Sequence, residues 1–179
     1  VQNGGIAQSG DQYLGDLVGS VGAATIDGTN STLSSTGWIV IGNSGTGSLV
    51  IRNAGTVTSS RGILGNSAGS GTAVIDGVGS AWLMSQILTI GKSGVGTLTV
   101  QNGGIITSSV GEIGYAIGAT GAVTIRDVDS NWTVSSGLSI GGNSSLSGGS
   151  GSLTITVGGA VNVGGATTIY STGSMTVGA

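Results

Sequence analysis

Apolar and polar positions alternate in short runs along the whole chain. In GTLTV from Gly96, Leu98 and Val100 alternate with Thr97 and Thr99, which is the period of a strand with one buried face. Equivalent runs each end on a β-branched residue, at Val1, Ile26, Ile51, Ile75, Val100, Ile125, Ile155 and Val177, with steps of 25, 25, 24, 25, 25, 30 and 22 residues. Two positions before each of the last seven lies another apolar residue: Ala24, Leu49, Ala73, Leu98, Val123, Leu153 or Met175. A second set of anchors, Leu14, Ile41, Leu64, Ile90, Ile113, Ile140 and Ile169, follows 13 to 15 residues after the first set. Gly15, Gly42, Gly65, Gly91, Gly114 and Gly141 follow six of them.

The spacing from first to second anchor alternates between short and long. The visible repeat is therefore about 50 residues, with VQNGG at Val1, IRNAG at Ile51 and VQNGG at Val100, while the structural unit is about 25. A unit of that size cannot close a core alone, but stacked copies can. The pattern predicts an all-β fold. It is a single-stranded parallel β-helix, or solenoid, of about seven coils of ~25 residues over 1–179, with strands ~4.8 Å apart and a rod of roughly 34 Å. Parallel crossovers are overwhelmingly right-handed, so a right-handed helix is expected. The rival is a β-propeller, but three and a half blades would not close.

Composition narrows the chemistry. The chain has 39 Gly and no His, Cys, Pro or Phe. Without His or Cys there is no His-based triad, thiol nucleophile or usual zinc site, and no cofactor is expected. Arg52, Arg61, Lys92 and Arg126 are the only cations, too few for nucleic-acid binding. No apolar run is long enough to insert directly into a membrane as a helix. A mean hydropathy of +0.40 argues against the disorder that a Gly- and Ser-rich chain could otherwise show.

The residues after the first anchors face outward by the strand period. Stacking places Asp27, Arg52 and Asp76 in one row, an expected structural ion ladder, followed by Gln101 beside Arg126. In-register opposite charges favour the correct pairing and penalise a slipped one.

Candidate surface contacts are Trp38, Trp82, Trp132, Asp127, Asp129, Asn131 and Asn143. Trp82 and Trp132 occupy the same position in alternate coils, with Leu33 there in the first. They read as the filling of a wide corner or as an exposed aromatic platform. Trp38 stands apart, with an indole expected to be partly exposed. Asp127, Asp129 and Asn131 resemble the start of a calcium loop. Trp132 and Leu138 occupy the places where that loop needs Gly and Glu, so a turn held by Asx hydrogen bonds is expected. Asn143 lies in Gly141–Gly151, a stretch five residues longer than its counterpart. It reads as a displayed insertion or a flexible Gly/Ser loop. The Asn-Gly corners lack the helix and Lys of a phosphate-binding loop. No catalytic residues are expected: the acids do not gather in a groove, and a Ser–Lys pair would have to use Lys92.

The units GNSGTGSLVIRNAG from Gly42, GKSGVGTLTVQNGG from Gly91 and VIDGVGSAWLMSQILTIG from Val74 resemble a repeat of bacterial autotransporter passenger regions. Related exported proteins with a PEP-CTERM sorting signal carry it too. The likeness covers essentially the whole chain. It departs at Leu33, in place of Trp, and at Arg126-Asp127, in place of Asp-Gly. The resemblance implies a non-enzymatic, adhesin-like β-helix at the bacterial cell surface or outside the cell, exported through an outer-membrane barrel not present in this chain. It implies partners such as a host surface protein or glycan, or self-association between passengers. The chain starts and stops inside repeats, so the expectation is a segment of a longer passenger. A passive spacer or stalk and a polysaccharide-degrading enzyme are the alternatives.

Overall fold

In the computed structural model, which describes residues 1–143 and 145–178, the first anchors stack in single file. Ile26, Ile51, Ile75, Val100, Ile125, Ile155 and Val177 are consecutive register partners across seven parallel strands. The second anchors form another file, from Leu14 through Ile41, Leu64, Ile90, Ile113 and Ile140 to Ile169. Ile51, Ile75, Val100, Ile41, Leu64 and Ile90 are fully buried. These two columns run through the buried core and are the stacked files that the sequence periodicity predicts. The chain is a parallel β-solenoid of about seven turns.

Each coil gives one strand to each of three seven-stranded parallel sheets. Sheet I begins at Ile6–Ser9, includes Thr56–Ser59, Ala81–Met84, Ile105–Ser108 and Asn131–Val134, and ends at Ala160–Val163. Sheet II begins at Gln12–Leu14, includes Trp38–Ile41, Arg61–Leu64, Ile87–Ile90 and Val110–Ile113, and ends at Thr167–Ile169. Sheet III holds the longest strands, from Val21–Asp27 through Val95–Gln101 to Gly173–Val177. The described residues contain no helix.

The glycine after six of the seven second anchors makes the corner between sheets II and III. Gly42 has φ +70, and a Cβ there would run into the backbone of Ser70. Only glycine meets both demands without strain.

Sheet I corrects one expectation. Trp82 and Trp132 do not fill a corner. They lie within strands of sheet I, in the inward file Leu33, Val57, Trp82, Ile106, Trp132 and Val161, and both are fully buried. Each indole Nε1 donates to a serine of the preceding coil, Trp82 to Ser59 and Trp132 to Ser108, at 3.1 Å. That satisfies the one polar atom of a side chain otherwise suited to a core. Each indole also reaches over a glycine of the preceding coil. A Cβ on Gly62 would lie 2.8 Å from Trp82 Cζ2, and one on Gly111 2.8 Å from Trp132 Cζ2. A coil with Trp therefore packs on a coil with Ser and Gly, which gives the 50-residue period a physical origin.

The longer coils also carry Ser31, Ser80 and Ser130, buried at the corner before sheet I. Ser80 Oγ donates to the Asp76 carbonyl at 2.7 Å and accepts from the Ala54 amide of the preceding coil at 3.1 Å. Ser31 does the same between Asp27 and Gly4. A buried hydroxyl thus satisfies backbone groups of two coils at once.

Candidate functional site

On the outer face of sheet II, three columns of side chains converge. Trp38 pairs with Arg61 in the first column. In the second, Ile63 pairs with Thr89, and Thr89 with Glu112. The third comes from the corner two residues beyond the second anchors and brings Lys92 and Tyr115. Together with Ile87 these residues line a cleft of about 250 Å³.

The lining comes from four consecutive strands of sheet II, with Trp38 from the first, Arg61 and Ile63 from the second, Ile87 and Thr89 from the third and Glu112 from the fourth, so the cleft spans four coils. The Arg61 guanidinium carbon lies 5.2 Å from the centroid of the Trp38 ring, and Lys92 Nζ lies 5.9 Å from it. Both cations are thus held by the negative face of one indole. Arg61 Nε donates to Gln86 Oε1 at 2.8 Å, which fixes the plane of the fork. At the floor, Thr89 Oγ1 donates to Glu112 Oε2 at 2.9 Å. Glu112 is 8% exposed. Burial raises its carboxyl above the ordinary value, opposed by the Thr89 hydrogen bond and the fields of Arg61 and Lys92. Two of the four cations of the chain and its only glutamate meet here.

Among the candidate surface contacts read from the sequence, Trp38 alone belongs to this cleft. Trp82 and Trp132, buried in the core, are removed as surface contacts. Asp127 and Asp129 sit in the turn before the strand that Asn131 opens. Their φ values are 71° and 68°, in a region that Asp tolerates better than most residues. Asp127 stands where Gly28 and Gly77 stand in other long coils, also at positive φ. Asp127 Oδ2 accepts from the Asn102 amide at 3.3 Å. Asn131 donates to Thr133 Oγ1 and accepts from Asn162 Nδ2. Among the described residues no three His, Cys, Asp or Glu side chains gather as metal ligands.

Asn143 caps the inserted stretch. Its Oδ1 accepts from the Ser145 and Leu146 amides, and its own amide donates to the Leu146 carbonyl at 3.0 Å. Gly142 and Ser147 form an antiparallel bridge. The described residues of the insertion thus bond to one another between Gly142 and Ser147, and Ser144 lies outside the described residues.

The expected Asp–Arg–Asp ladder is a single ion pair. Arg52 Nη2 lies 2.9 Å from Asp27 Oδ2, and Asn53 with Arg52 holds the Asp27 carboxyl below its ordinary value by hydrogen bonding. Asp76 is in register with Arg52 but accepts instead from Asn102 Nδ2 at 2.7 Å. Further along the row, Arg126 Nε donates to Gln101 Oε1 at 3.1 Å. A second polar file, not foreseen, runs along the II–III corner. Asn66 donates to Asn43, and Asn43 to Asp16, each at 2.7 Å.

The sequence reasoning missed Arg61, Thr89, Glu112 and Tyr115. The signal was present, because each lies at a fixed offset from a second anchor and the columns could have been read down the stack. No family model matches the chain, and no curated protein or solved structure matches it.

Proposed function

We propose that this chain is a non-enzymatic adhesive rod, a segment of an exported bacterial surface protein of the autotransporter-passenger kind, acting by attachment or self-association. The observation that carries this reading is the outer face of sheet III. Thr99, Thr124, Thr154 and Thr176 form one unbroken row across four coils, and Ser48, Thr72 and Thr97 form a parallel one. Both rows are uncharged. A second copy presents the same lattice at the same ~4.8 Å spacing, so many weak hydrogen bonds and methyl contacts can form together and add by avidity. The cleft on sheet II contains one carboxyl group, Glu112. Acid-base cleavage of a glycosidic bond ordinarily needs a pair, which supports the non-enzymatic reading.

The test uses beads coated with this chain. Coated beads are expected to cluster, and the double variant Thr99→Lys/Thr154→Lys to disperse them, because like charges then face each other along the row. Clustering unchanged by the two lysines would remove sheet III from the mechanism. Beads that neither cluster nor adhere to cells would leave the chain a passive spacer.

A further inference from the structure

The cleft on sheet II has a donor and acceptor inventory that selects a ligand. Arg61 and Lys92 have no acidic partner within ion-pair distance among the described residues, where Arg52 with Asp27 is the one such pair. Because Gln86 occupies Arg61 Nε, the outer N–H groups of the fork are left to face a ligand. Glu112 Oε2 is taken by Thr89, while Oε1 has no protein donor among the described residues. Among the described residues no buried side-chain oxygen lacks a partner, so Oε1 is accessible, and Glu112 lines the cleft. Tyr115 adds a phenol at the rim, and Ile63 and Ile87 add apolar surface.

These groups make opposite demands. An inorganic anion satisfies the two cations but meets the Glu112 carboxylate. A neutral sugar can donate a hydroxyl to Glu112 but leaves both cations unused. A ring that carries an acid group beside a hydroxyl satisfies all three, with the acid accepting from Arg61 and Lys92 through charge-assisted bonds and the hydroxyl donating to Glu112 Oε1. A volume of about 250 Å³ holds one ring and falls below the usual range for larger organic ligands.

We propose that the cleft formed by Trp38, Arg61, Thr89, Lys92, Glu112 and Tyr115 binds a single acidic sugar residue of the uronate class. This goes beyond the adhesive reading and stands apart from it. The site is on sheet II, and binding of a soluble sugar is scored whether or not the rods associate.

Trp38 gives the readout, since it is 38% exposed while Trp82 and Trp132 are fully buried. The whole chain is titrated with glucuronate, its methyl glycoside, methyl glucoside and inorganic sulfate, following tryptophan emission. Glucuronate is expected to produce a saturable change with Kd on the order of 1 mM, and methyl glucoside none. Equal binding of the methyl glycoside assigns the site to a glycan end, and its loss assigns it to the free sugar acid.

Lys92→Met and Arg61→Gln, checked for unchanged circular dichroism, are each expected to weaken glucuronate about tenfold. Glu112→Gln should weaken glucuronate and strengthen sulfate, because it removes the repelling charge while keeping the shape. Three results would overturn the proposal. They are no saturable change with glucuronate up to about 50 mM, well past the expected Kd, sulfate binding as tightly as glucuronate to the unaltered chain, and glucuronate binding indifferent to Lys92→Met.

Discussion

The indole of Trp82 occupies the space that Gly62, one coil earlier, leaves by having no side chain. A Cβ on Gly62 would sit 2.8 Å from Trp82 Cζ2 and 2.8 Å from Met84 Sδ. The two residues therefore form one packing unit, and their substitutions should not add. Gly62→Ala alone overpacks a fully buried contact and should cost about 1–3 kcal/mol. Trp82→Ala alone should cost about 3–5 kcal/mol through the cavity it opens. In the Trp82→Ala background, Gly62→Ala should cost far less than it does alone. Chemical denaturation of the four proteins checks this, and strict additivity would show that the contact is slack.

Ala54 occupies a corner where the equivalent residues are Gly4 and Gly103. All three have positive φ, 65° at Ala54 against 73° and 85° at the glycines. An alanine is strained there, and part of what glycine relieves is offset by its greater freedom when unfolded. Ala54→Gly is expected to raise stability by about 0.5–1 kcal/mol, measured by the same denaturation experiment. A loss of stability would mean that the alanine methyl contributes more packing than it costs in backbone strain.

Glu112 ties the cleft to the stability of the rod. Its carboxyl is raised by burial in the folded chain, so the folded state binds a proton more tightly than the unfolded state does. The stability this contributes is fully present below the unfolded carboxyl value and is lost as pH rises through the raised folded value. Glu112→Gln mimics the protonated form. Its thermal midpoint should match that of the unaltered chain under acid conditions and exceed it at neutral pH. An equal gap at both pH values would remove ionisation of Glu112 as the cause.

Much of the fold was legible because the two strongest columns are chemically uniform. Ile26, Ile51, Ile75 and Val100 are all β-branched and nearly equally spaced, and they stack as that spacing requires. Sheet I was harder to read. Trp82 follows its first anchor by seven residues and Ile106 by six, so a fixed repeat length displaces the column by one place and hides that they are partners. The ion ladder failed at Asp76 because Arg52 turns both Nε and Nη2 to Asp27 Oδ2 and leaves Asp76 to Asn102, a choice made by side-chain direction rather than by register. The cleft escaped notice for a different reason. Trp38, Arg61, Lys92 and Glu112 are far apart in the chain, and only reading each column across several coils brings them together.

The register of the stack is the claim on which the cleft, the hydroxyl rows and the Trp–Gly packing all depend. The chain has no cysteine, so an introduced pair reports without interference. Thr72 and Thr97 are register partners on the outer face of sheet III. Neighbouring strands ~4.8 Å apart lie within disulfide reach. The most direct measurement is oxidation of Thr72→Cys/Thr97→Cys beside two controls, Thr72→Cys/Thr99→Cys and Ser48→Cys/Thr97→Cys, which skips a coil. Rapid, near-complete intramolecular bridging of the 72–97 pair alone is the predicted result. Bridging of 72 with 99 at the expense of 97, or of 48 with 97, would contradict the stacked register.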